Sequence, residues 1–139
     1  MKIEPNMYVR TKKGIAKIVE IFDKENEPYY GVKYRTDTFL EIYYDSEYIG
    51  DEDISKASHN IIDLIEVGDV ITFKNDEDVY RVSCVPNEES ACDCFYLVFN
   101  YATQYGVEDI EVSKETMQNT LESVITREQF EKIAYKVGD

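Results

Sequence analysis

The side chains of this sequence that most readily bind metals or act as nucleophiles belong to three cysteines and one histidine. Cys84, Cys92 and Cys94 have the spacing C-x7-C-x-C, whereas structural zinc sites usually contain a tighter C-x2-C pair. With His59 they could form a zinc site, which is one interpretation. The spacing favours the other, in which these are cysteines of the core or of a strand edge. We therefore predict that these residues bind no metal.

Nucleophilic catalysis by a Ser/His or Cys/His pair would have to use His59, because it is the only histidine. A catalytic triad needs a base that a third group orients in a cleft. The neighbours Ser58 and Asn60 are instead typical of a turn or a cap. The six glycines are isolated, so the sequence contains no glycine-rich phosphate-binding loop. We predict a protein with no catalytic residue and no cofactor. An enzyme that uses His59 or the cysteines is the last alternative.

Residues 29–53 combine many tyrosines with many carboxylates. Tyrosine is enriched at protein interfaces because it offers a rigid ring and a polar tip. Carboxylates beside it can imitate phosphates and occupy a basic groove. The predicted partner-binding residues are Tyr43, Tyr44, Asp45, Glu47, Tyr48, Asp51, Glu52 and Asp53. The alternative is ordinary packing, with alternate tyrosines buried and the acids in a solvated loop.

The net charge of −14 comes from 29 acidic and 15 basic residues. Such a charge repels polyanions, so direct binding to nucleic acid or to an anionic membrane is disfavoured. It favours a protein partner with a basic surface, although good solubility alone is an equally simple interpretation. One cationic cluster supports the alternative of a nucleic-acid-binding module that uses the N-terminal hairpin. Its members are Arg10, Lys12, Lys13 and Lys17.

No stretch of the sequence approaches the roughly 20 apolar residues of a membrane span. Residues 1–5 have no apolar signal region, and the number of cysteines is odd. These features predict a protein of the reducing cytoplasm that does not bind a membrane.

The elements that must position these residues are short strands. In the first half of the chain, strands are predicted at 7–11, 15–22, 29–34, 40–44 and 61–65. Gly14 takes the loop position that needs a positive φ in the first hairpin, and Gly31 indicates a bulge or a close approach. Residues 45–53 are an acidic segment, and residues 54–59 are predicted to form a helical turn.

The second half repeats this order. Strands are predicted at 70–74, 79–85, 94–99, 109–112 and 121–125, and a short last strand at 135–137. The returning strand of the first hairpin, Ile15-x-Lys17-Ile18-x-x-Ile21, aligns with Val79-x-Arg81-Val82-x-x-Val85. A helical turn with Ser113 as N-cap precedes the fifth strand. Thr126 and Gln129 then form a capping box, which predicts a helix from Arg127 to about Ile133 that the first half lacks.

Five short strands with a helical turn before the fifth are typical of a Src-homology-3-like small barrel. The sequence therefore predicts an α+β, mainly β protein of two tandem barrels, residues 1–67 and 68–139, with a short C-terminal helix. Gly68-Asp69 is the turn signal at the boundary, and a new apolar run follows it. The alternative is a chance pseudo-repeat, because turns recur every 8–12 residues in many all-β chains.

Three stretches carry a resemblance to known proteins. They are Met7-Tyr8-Val9-Arg10-Thr11 with Gly14-Ile15-Ala16-Lys17-Ile18, then residues 58–69, then residues 124–131 with Tyr135. Over most of its length the chain resembles small acidic proteins that phages and prophages of Gram-positive bacteria encode. These motifs are structural and transfer no catalytic residue. The resemblance implies a non-enzymatic, protein-binding inhibitor of a host nucleic-acid-binding defence system, similar to anti-CRISPR proteins, in the bacterial host cytoplasm.

Overall fold

The structure is a computed structural model, and it describes residues 2–24, 27–37, 40–87, 93–99 and 110–133. The chain divides into two compact units, Met1–Leu64 (unit 1) and Ile65–Asp139 (unit 2). The boundary predicted from the sequence lies three residues later. Both units are mainly β, and each is built on a five-stranded antiparallel sheet.

Unit 1 has the strand order β4-β3-β2-β1-β5. Its strands are β1 (Tyr8–Thr11), β2 (Gly14–Lys24), β3 (Glu27–Asp37), β4 (Ile42–Gly50) and β5 (Lys56–Ser58). One 3-10 helix, Asp51–Asp53, precedes β5, and a second, Ile61–Leu64, follows it. The core side chains are at most 7% exposed and belong to Val9, Ala16, Ile18, Tyr30, Val32, Ile49 and Ile54.

Two glycines of unit 1 have the roles that the sequence predicts. Gly14 follows the turn between β1 and β2 with φ 127°, a conformation that costs glycine little. Gly31 permits a close approach, because a Cβ there would lie 3.4 Å from Glu20 Cβ and 3.5 Å from Tyr48 Cε1. Its backbone is thus closely covered from two neighbouring strands.

Unit 2 has the strand order β10-β6-β7-β8-β9. Its strands are β6 (Val70–Phe73), β7 (Val79–Cys84), β8 (Cys94–Phe99), β9 (Ile110–Ser113) and β10 (Leu121–Ile125). Helix α1 (Lys114–Thr120) precedes β10, and helix α2 (Arg127–Ile133) follows it. Ser113 is the N-cap of α1 as predicted, since its side chain accepts a hydrogen bond from the Thr116 amide. The strand predicted at 135–137 lies outside the described residues.

The two units enter their sheets in the same way. Asn6 and Gly68 each lie two residues before the first strand, and both have a positive φ, 68° and 95°. The Asn6 amide donates to the Ile18 carbonyl over 3.1 Å, and the Gly68 amide donates to the Val82 carbonyl over 2.9 Å. These contacts connect equivalent positions in the first hairpin of each unit.

A β-bulge also recurs. The register of β2 with β3 shifts between Ile18 and Glu20, and that of β7 with β8 shifts between Val82 and Cys84. The sequence alignment of the two returning strands places these positions in register. Both units have the predicted order of five strands with a helical segment before the fifth. In unit 1, however, the helical turn predicted at residues 54–59 is wrong, because the helical segment is Asp51–Asp53 and β5 occupies Lys56–Ser58. Neither sheet closes into a barrel through the described strand pairings.

The predicted position of the fifth strand of unit 1 is wrong. The apolar run predicted as a strand is the 3-10 helix Ile61–Leu64, and the strand lies at Lys56–Ser58 instead. Asn60 initiates the helix, because its side-chain oxygen accepts a hydrogen bond from the Ile62 amide and its carbonyl accepts one from Asp63. Short apolar runs fit a strand or a buried helical turn equally well, and local side-chain hydrogen bonds select the turn here.

The expectation that only the second half has a helix after its fifth strand is also wrong, because Ile61–Leu64 occupies that position in unit 1. The capping box of α2 is confirmed. The Thr126 amide donates to Gln129 Oε1 over 2.9 Å, and the Gln129 amide donates to Thr126 Oγ1 over 3.2 Å. The buried Asp69 carboxylate adds a further bond, since Oδ1 accepts from the Arg127 amide over 2.9 Å.

Candidate functional site

The predicted partner-binding residues lie on β4 and on the 3-10 helix that follows it. β4 is at one edge of the sheet of unit 1 and pairs with β3 over nine residue pairs. The prediction of a strand that ends at Tyr44 and is followed by an acidic loop is wrong, because Asp45 and Glu47 belong to the strand. Exposed charges are typical of an edge strand. In β4 they interrupt the alternation of apolar and polar residues by which a strand is predicted from a sequence.

The candidate residues of β4 divide between the two faces of the sheet, since successive side chains on a strand alternate. Glu47 lies opposite the buried Val32, and Ile49 lies opposite the buried Tyr30. Tyr43 and Asp45 therefore lie on the same face as the core, and both are exposed. The even-numbered candidates Tyr44 and Tyr48 lie on the outer face. The eight predicted residues do not form one flat surface.

On the outer face, three aromatic side chains form a group that we call the aromatic group: Phe22, Tyr29 and Tyr48. The rings of Phe22 and Tyr29 are stacked, with centroids 4.7 Å apart and planes inclined by 15°. The Tyr48 ring meets both edge-on, at 5.9 and 6.1 Å. Tyr48 is 69% exposed and Tyr29 is 37% exposed, so the group is accessible to a partner.

Sequence reasoning misses Phe22 and Tyr29 as site residues. Their proximity is set by the β2–β3 hairpin, in which Lys24 pairs with Glu27 and Phe22 pairs with Tyr29. The signal in the sequence is the polar loop between two apolar strands, because a hairpin centred on residues 25 and 26 places these aromatic residues opposite each other.

The remaining tyrosines of β4 are also exposed. Tyr43 is 51% exposed and Tyr44 is 58% exposed, so the packing interpretation fails for both, whereas it holds for the buried Tyr30. Lys33 Nζ lies 5.8 Å from the Tyr44 ring centroid, within the range of a cation–π contact. The Tyr43 hydroxyl donates to the Glu41 carboxylate, which raises the pKa of Tyr43.

The partly exposed Glu47 side chain is fixed by hydrogen bonds from two polar residues of unit 1. Its carboxylate accepts a hydrogen bond from Lys13 Nζ over 2.6 Å and another from the Tyr34 hydroxyl over 2.9 Å. The bond from Lys13 is the main reason that the pKa of Glu47 is lowered. Burial raises the pKa of Tyr34 to about 12. Glu47 thus connects the first hairpin to β3 and β4, and its carboxylate is less available to a partner.

The 3-10 helix Asp51–Asp53 places three carboxylates at the end of β4. Asp51 Oδ1 accepts from the Tyr30 hydroxyl over 2.6 Å, and burial together with this bond raises the pKa of Tyr30 to about 12. Asp53 Oδ2 accepts from the Gly50 amide over 3.1 Å. Glu52 makes no hydrogen bond or ion pair with any residue of the described ranges. The two aspartates hold the turn, and Glu52 is available.

An open concavity of about 770 Å³ lies where β4 meets this helix. Its described lining contains no basic residue, and the lining residues are Glu27, Pro28, Tyr29, Tyr48, Ile49, Gly50, Asp51, Glu52 and Asp53. The concavity brings four of the eight predicted residues beside Tyr29 of the aromatic group. The structure therefore places carboxylates and exposed rings around one depression.

Among the basic residues of the N-terminal hairpin, Lys12, Lys13 and Lys17 are exposed, and Arg10 is buried. Arg10 is 1% exposed, and its Nη1 donates to the Leu64 carbonyl over 3.0 Å. Lys13 is paired with Glu47, and Lys17 Nζ lies 5.9 Å from the Tyr8 ring centroid. Arg10 is therefore a structural residue of unit 1.

His59, Cys84 and Cys94 are not among the described residues that line the concavity. His59 Nε2 lies 2.8 Å from Glu4 Oε2, and this hydrogen bond lowers the pKa of Glu4. Cys84 and Cys94 are partly buried on β7 and β8, and Cys92 is outside the described ranges. Within those ranges, no group of three or more His, Cys, Asp or Glu residues could hold a metal ion.

Comparison with known proteins yields no relative. No protein-family model matches the chain, and no curated protein and no solved structure matches it either. Among the described helices, none has both the length and the apolar character needed to cross a bilayer. The functional proposal therefore rests on the surface of unit 1.

Proposed function

We propose that this protein is a non-enzymatic binding protein whose partner is a protein with a basic surface. The observation that carries the proposal is the concavity in which the exposed rings of Tyr29 and Tyr48 lie beside the carboxylates of residues 51–53. Aromatic rings supply apolar contact area and attract cations. Carboxylates accept strong hydrogen bonds from guanidinium and ammonium groups. This combination is suited to Lys and Arg side chains.

The partner that we propose is a nucleic-acid-binding machine of a bacterial host, which this protein inhibits by occupying the basic groove. Carboxylates in series imitate the phosphates that such a groove binds. The net charge of −14 supports this, as do six acids without a base within residues 40–53. The sequence resemblance to phage-encoded acidic proteins supports an anti-CRISPR-like inhibitor that acts in the host cytoplasm.

For the fold, the proposal is that each unit is a Src-homology-3-like module. The support is the strand order that both sheets share, in which the fifth strand pairs with the first. A helical segment before the fifth strand and a bulge in the second strand occur in both units. The alternative function, a nucleic-acid-binding module built on the N-terminal hairpin, is weakened because Arg10 is buried.

The test begins with affinity purification from a bacterial lysate and identification of the protein that co-purifies. The dissociation constant of that complex is then measured for the wild type and for the triple variant Asp51→Asn, Glu52→Lys, Asp53→Asn. Asparagine keeps an oxygen acceptor for the Tyr30 hydroxyl and for the Gly50 amide. The turn is therefore preserved while charge is removed.

The matched control in unit 2 is Glu111→Gln, Glu122→Lys, Glu115→Gln, which changes the net charge by the same amount at exposed positions. We expect the unit 1 variant to weaken binding about tenfold or more and the control by less than about twofold, with a steep salt dependence for the wild type. The wild type should compete with DNA or RNA for the partner. Equal losses in both variants would contradict the proposal, as would direct binding of nucleic acid by this protein at physiological salt.

A further inference from the structure

The edge of β4 is suited to bind a partner by backbone pairing. We infer that an extended, basic segment of the partner adds to the sheet of unit 1 as a sixth strand beside β4. The inference rests on the proposed function and deepens it, since it specifies the backbone conformation and the charge pattern of what is bound.

The two edges of the sheet of unit 1 are protected to different degrees. β5, at one edge, has three residues and begins with Lys56. β4, at the other edge, has nine residues, contains neither proline nor lysine, and keeps a continuous register with β3. Short strands, charged side chains (lysine above all), proline and bulges are the devices by which proteins protect an edge from further pairing. β5 is short and carries Lys56, whereas β4 is protected only by the carboxylates of Asp45 and Glu47, which repel an acidic strand and attract a basic one.

The edge of β4 is also accessible. Residues 42–46 and Tyr48 are all exposed, and their side chains lie on both faces of the strand. An added strand would lie about 4.8 Å from β4, and its side chains would alternate between the same two faces. Backbone hydrogen bonds would then supply affinity, and the side-chain rows on either face would supply specificity.

The charge of β4 determines what such a strand must carry. Residues 40–53 contain six acids and no base: Glu41, Asp45, Glu47, Asp51, Glu52 and Asp53. Opposite charges on facing positions of neighbouring strands stabilise the pair, and like charges destabilise it. Lys or Arg on one face would meet Asp45. On the other face, apolar or arginine side chains would meet the rings of Tyr44 and Tyr48, because Arg stacks favourably on aromatic rings.

A second copy of this chain is a poorer occupant for the same reason. Antiparallel pairing of two β4 strands centred on Ser46 would place Tyr44 opposite Tyr48, which is favourable. It would also place Asp45 of each copy opposite Glu47 of the other, twice in a symmetric dimer. The like charges oppose this pairing, whereas a basic segment gains from the exposed Asp45 carboxylate.

The test uses a synthetic nine-residue peptide, matched to the nine residues of β4, that alternates Arg or Lys with Val or Thr. Backbone amide exchange is followed by NMR as the peptide is added to the full chain. We expect exchange to slow about tenfold at every second amide of residues 42–50, because alternate amides of an edge strand point away from the sheet. The amides of β5 should be unchanged. A peptide with Glu in place of the basic residues should not bind.

Two N-methylated versions of the basic peptide sharpen the test, each blocking one alternate set of peptide amides. Strand addition predicts that one version loses binding about tenfold or more and that the other does not, because only one set faces β4. The variant Asp45→Lys, which introduces a protective lysine at the edge, should weaken the unmodified peptide about fivefold or more. Its control, Glu111→Lys on β9, should not.

Equal binding of both methylated peptides, with no alternating change in exchange, would overturn strand addition. The proposed function would then still stand on the affinity loss of the triple variant. Failure of the basic peptide to bind even at low salt would also overturn the inference. Alternating protection that appears without peptide as the protein concentration rises would show a second copy at the edge, and it would overturn the assignment of a basic partner.

Discussion

Unit 1 and unit 2 have the same strand order, a residue of positive φ at the same place before the first strand, and a bulge at the equivalent position. They differ most in the fourth strand. β4 has nine residues and runs into an acidic 3-10 turn, whereas β9 has four residues in the described part of the chain and runs into α1. The common parts are those that bury the core, and the candidate site lies where the units differ.

The β3–β4 ladder continues past what the core of unit 1 requires. Tyr30 and Val32 on β3 are buried, but the pairs from Arg35↔Tyr44 to Asp37↔Ile42 lie beyond them, and the β4 residues there are exposed. Ordering backbone without burying apolar surface costs conformational entropy and gains little hydrophobic stabilisation. Stability therefore does not explain the length of β4, and the strand addition that we propose would give it a role.

The largest effect that we expect tests the shared core. Ile18 in unit 1 and Ile71 in unit 2 are both fully buried, so Ile18→Ala and Ile71→Ala should each lower the free energy of unfolding by about 2–5 kcal/mol. Urea denaturation measures both. A loss below about 1 kcal/mol in one variant alone would show that the two cores are not equivalent, despite their common topology.

A smaller effect distinguishes the helical segments after the fifth strands. Thr126→Ala removes half of the capping box and should destabilise unit 2 by about 0.5–2 kcal/mol. Asn60→Ala removes one longer hydrogen bond, 3.3 Å to the Ile62 amide, and should cost less. Thermal melts of both variants, with Thr126→Ser as the conservative control, make the measurement. A melt of Thr126→Ala that equals the wild type would contradict the role of the cap.

How well the sequence predicts the helices of each unit depends on whether neighbouring residues mark where those helices begin. In unit 2, Ser113, Thr126 and Gln129 are local caps, and both predicted helices begin where these residues place them. In unit 1, the apolar run Ile61–Leu64 is too short to show the periodicity of either a helix or a strand. The sequence therefore favours a strand where the structure has a helix.

The candidate site is harder to predict because it depends on register. Asp45 and Glu47 read as loop residues, although they are exposed and half-exposed strand residues at an edge. The rings of Phe22, Tyr29 and Tyr48 are brought together only by the particular registers of β2 with β3 and of β3 with β4. Composition predicts the acidic and tyrosine-rich character of the site, and strand pairing decides which side chains meet.

The pH dependence of stability provides a third comparison. The pKa of Glu47 in unit 1 is lowered by Lys13, and that of Asp76 in unit 2 is lowered by the Asp78 amide and the Tyr80 hydroxyl. Each carboxylate therefore stabilises the fold above its ordinary pKa, and this stabilisation is lost as pH falls through the lowered pKa. Glu47→Gln and Asp76→Asn should each flatten the acid side of the curve of unfolding free energy against pH.

At alkaline pH, the free energy of unfolding should depend on the titration of Tyr34 in unit 1. The pKa of Tyr34 is raised from 10.0 to about 12, so its neutral form stabilises the fold below pH 10.0, and this stabilisation is lost as pH rises through about 12. Tyr34→Phe should remove this titration. Denaturation midpoints between about pH 9 and 12 measure it, and an unchanged alkaline slope in Tyr34→Phe would contradict the assignment.

The smallest change in stability that we expect is that of Tyr44→Ala. Tyr44 lies on the fourth strand, where the two units differ most. Tyr44 is 58% exposed, and its ring lies within cation–π range of Lys33 Nζ. Tyr44→Ala should therefore lower the free energy of unfolding by less than about 1 kcal/mol, the value of an exposed cation–π contact. The same change should weaken the basic peptide or the purified partner about fivefold or more, because exposed tyrosines supply contact area at interfaces. Glu111→Ala, on the fourth strand of unit 2, should change neither quantity. A large loss of stability in Tyr44→Ala would make the ring part of the fold, and unchanged affinity would remove β4 from the binding surface.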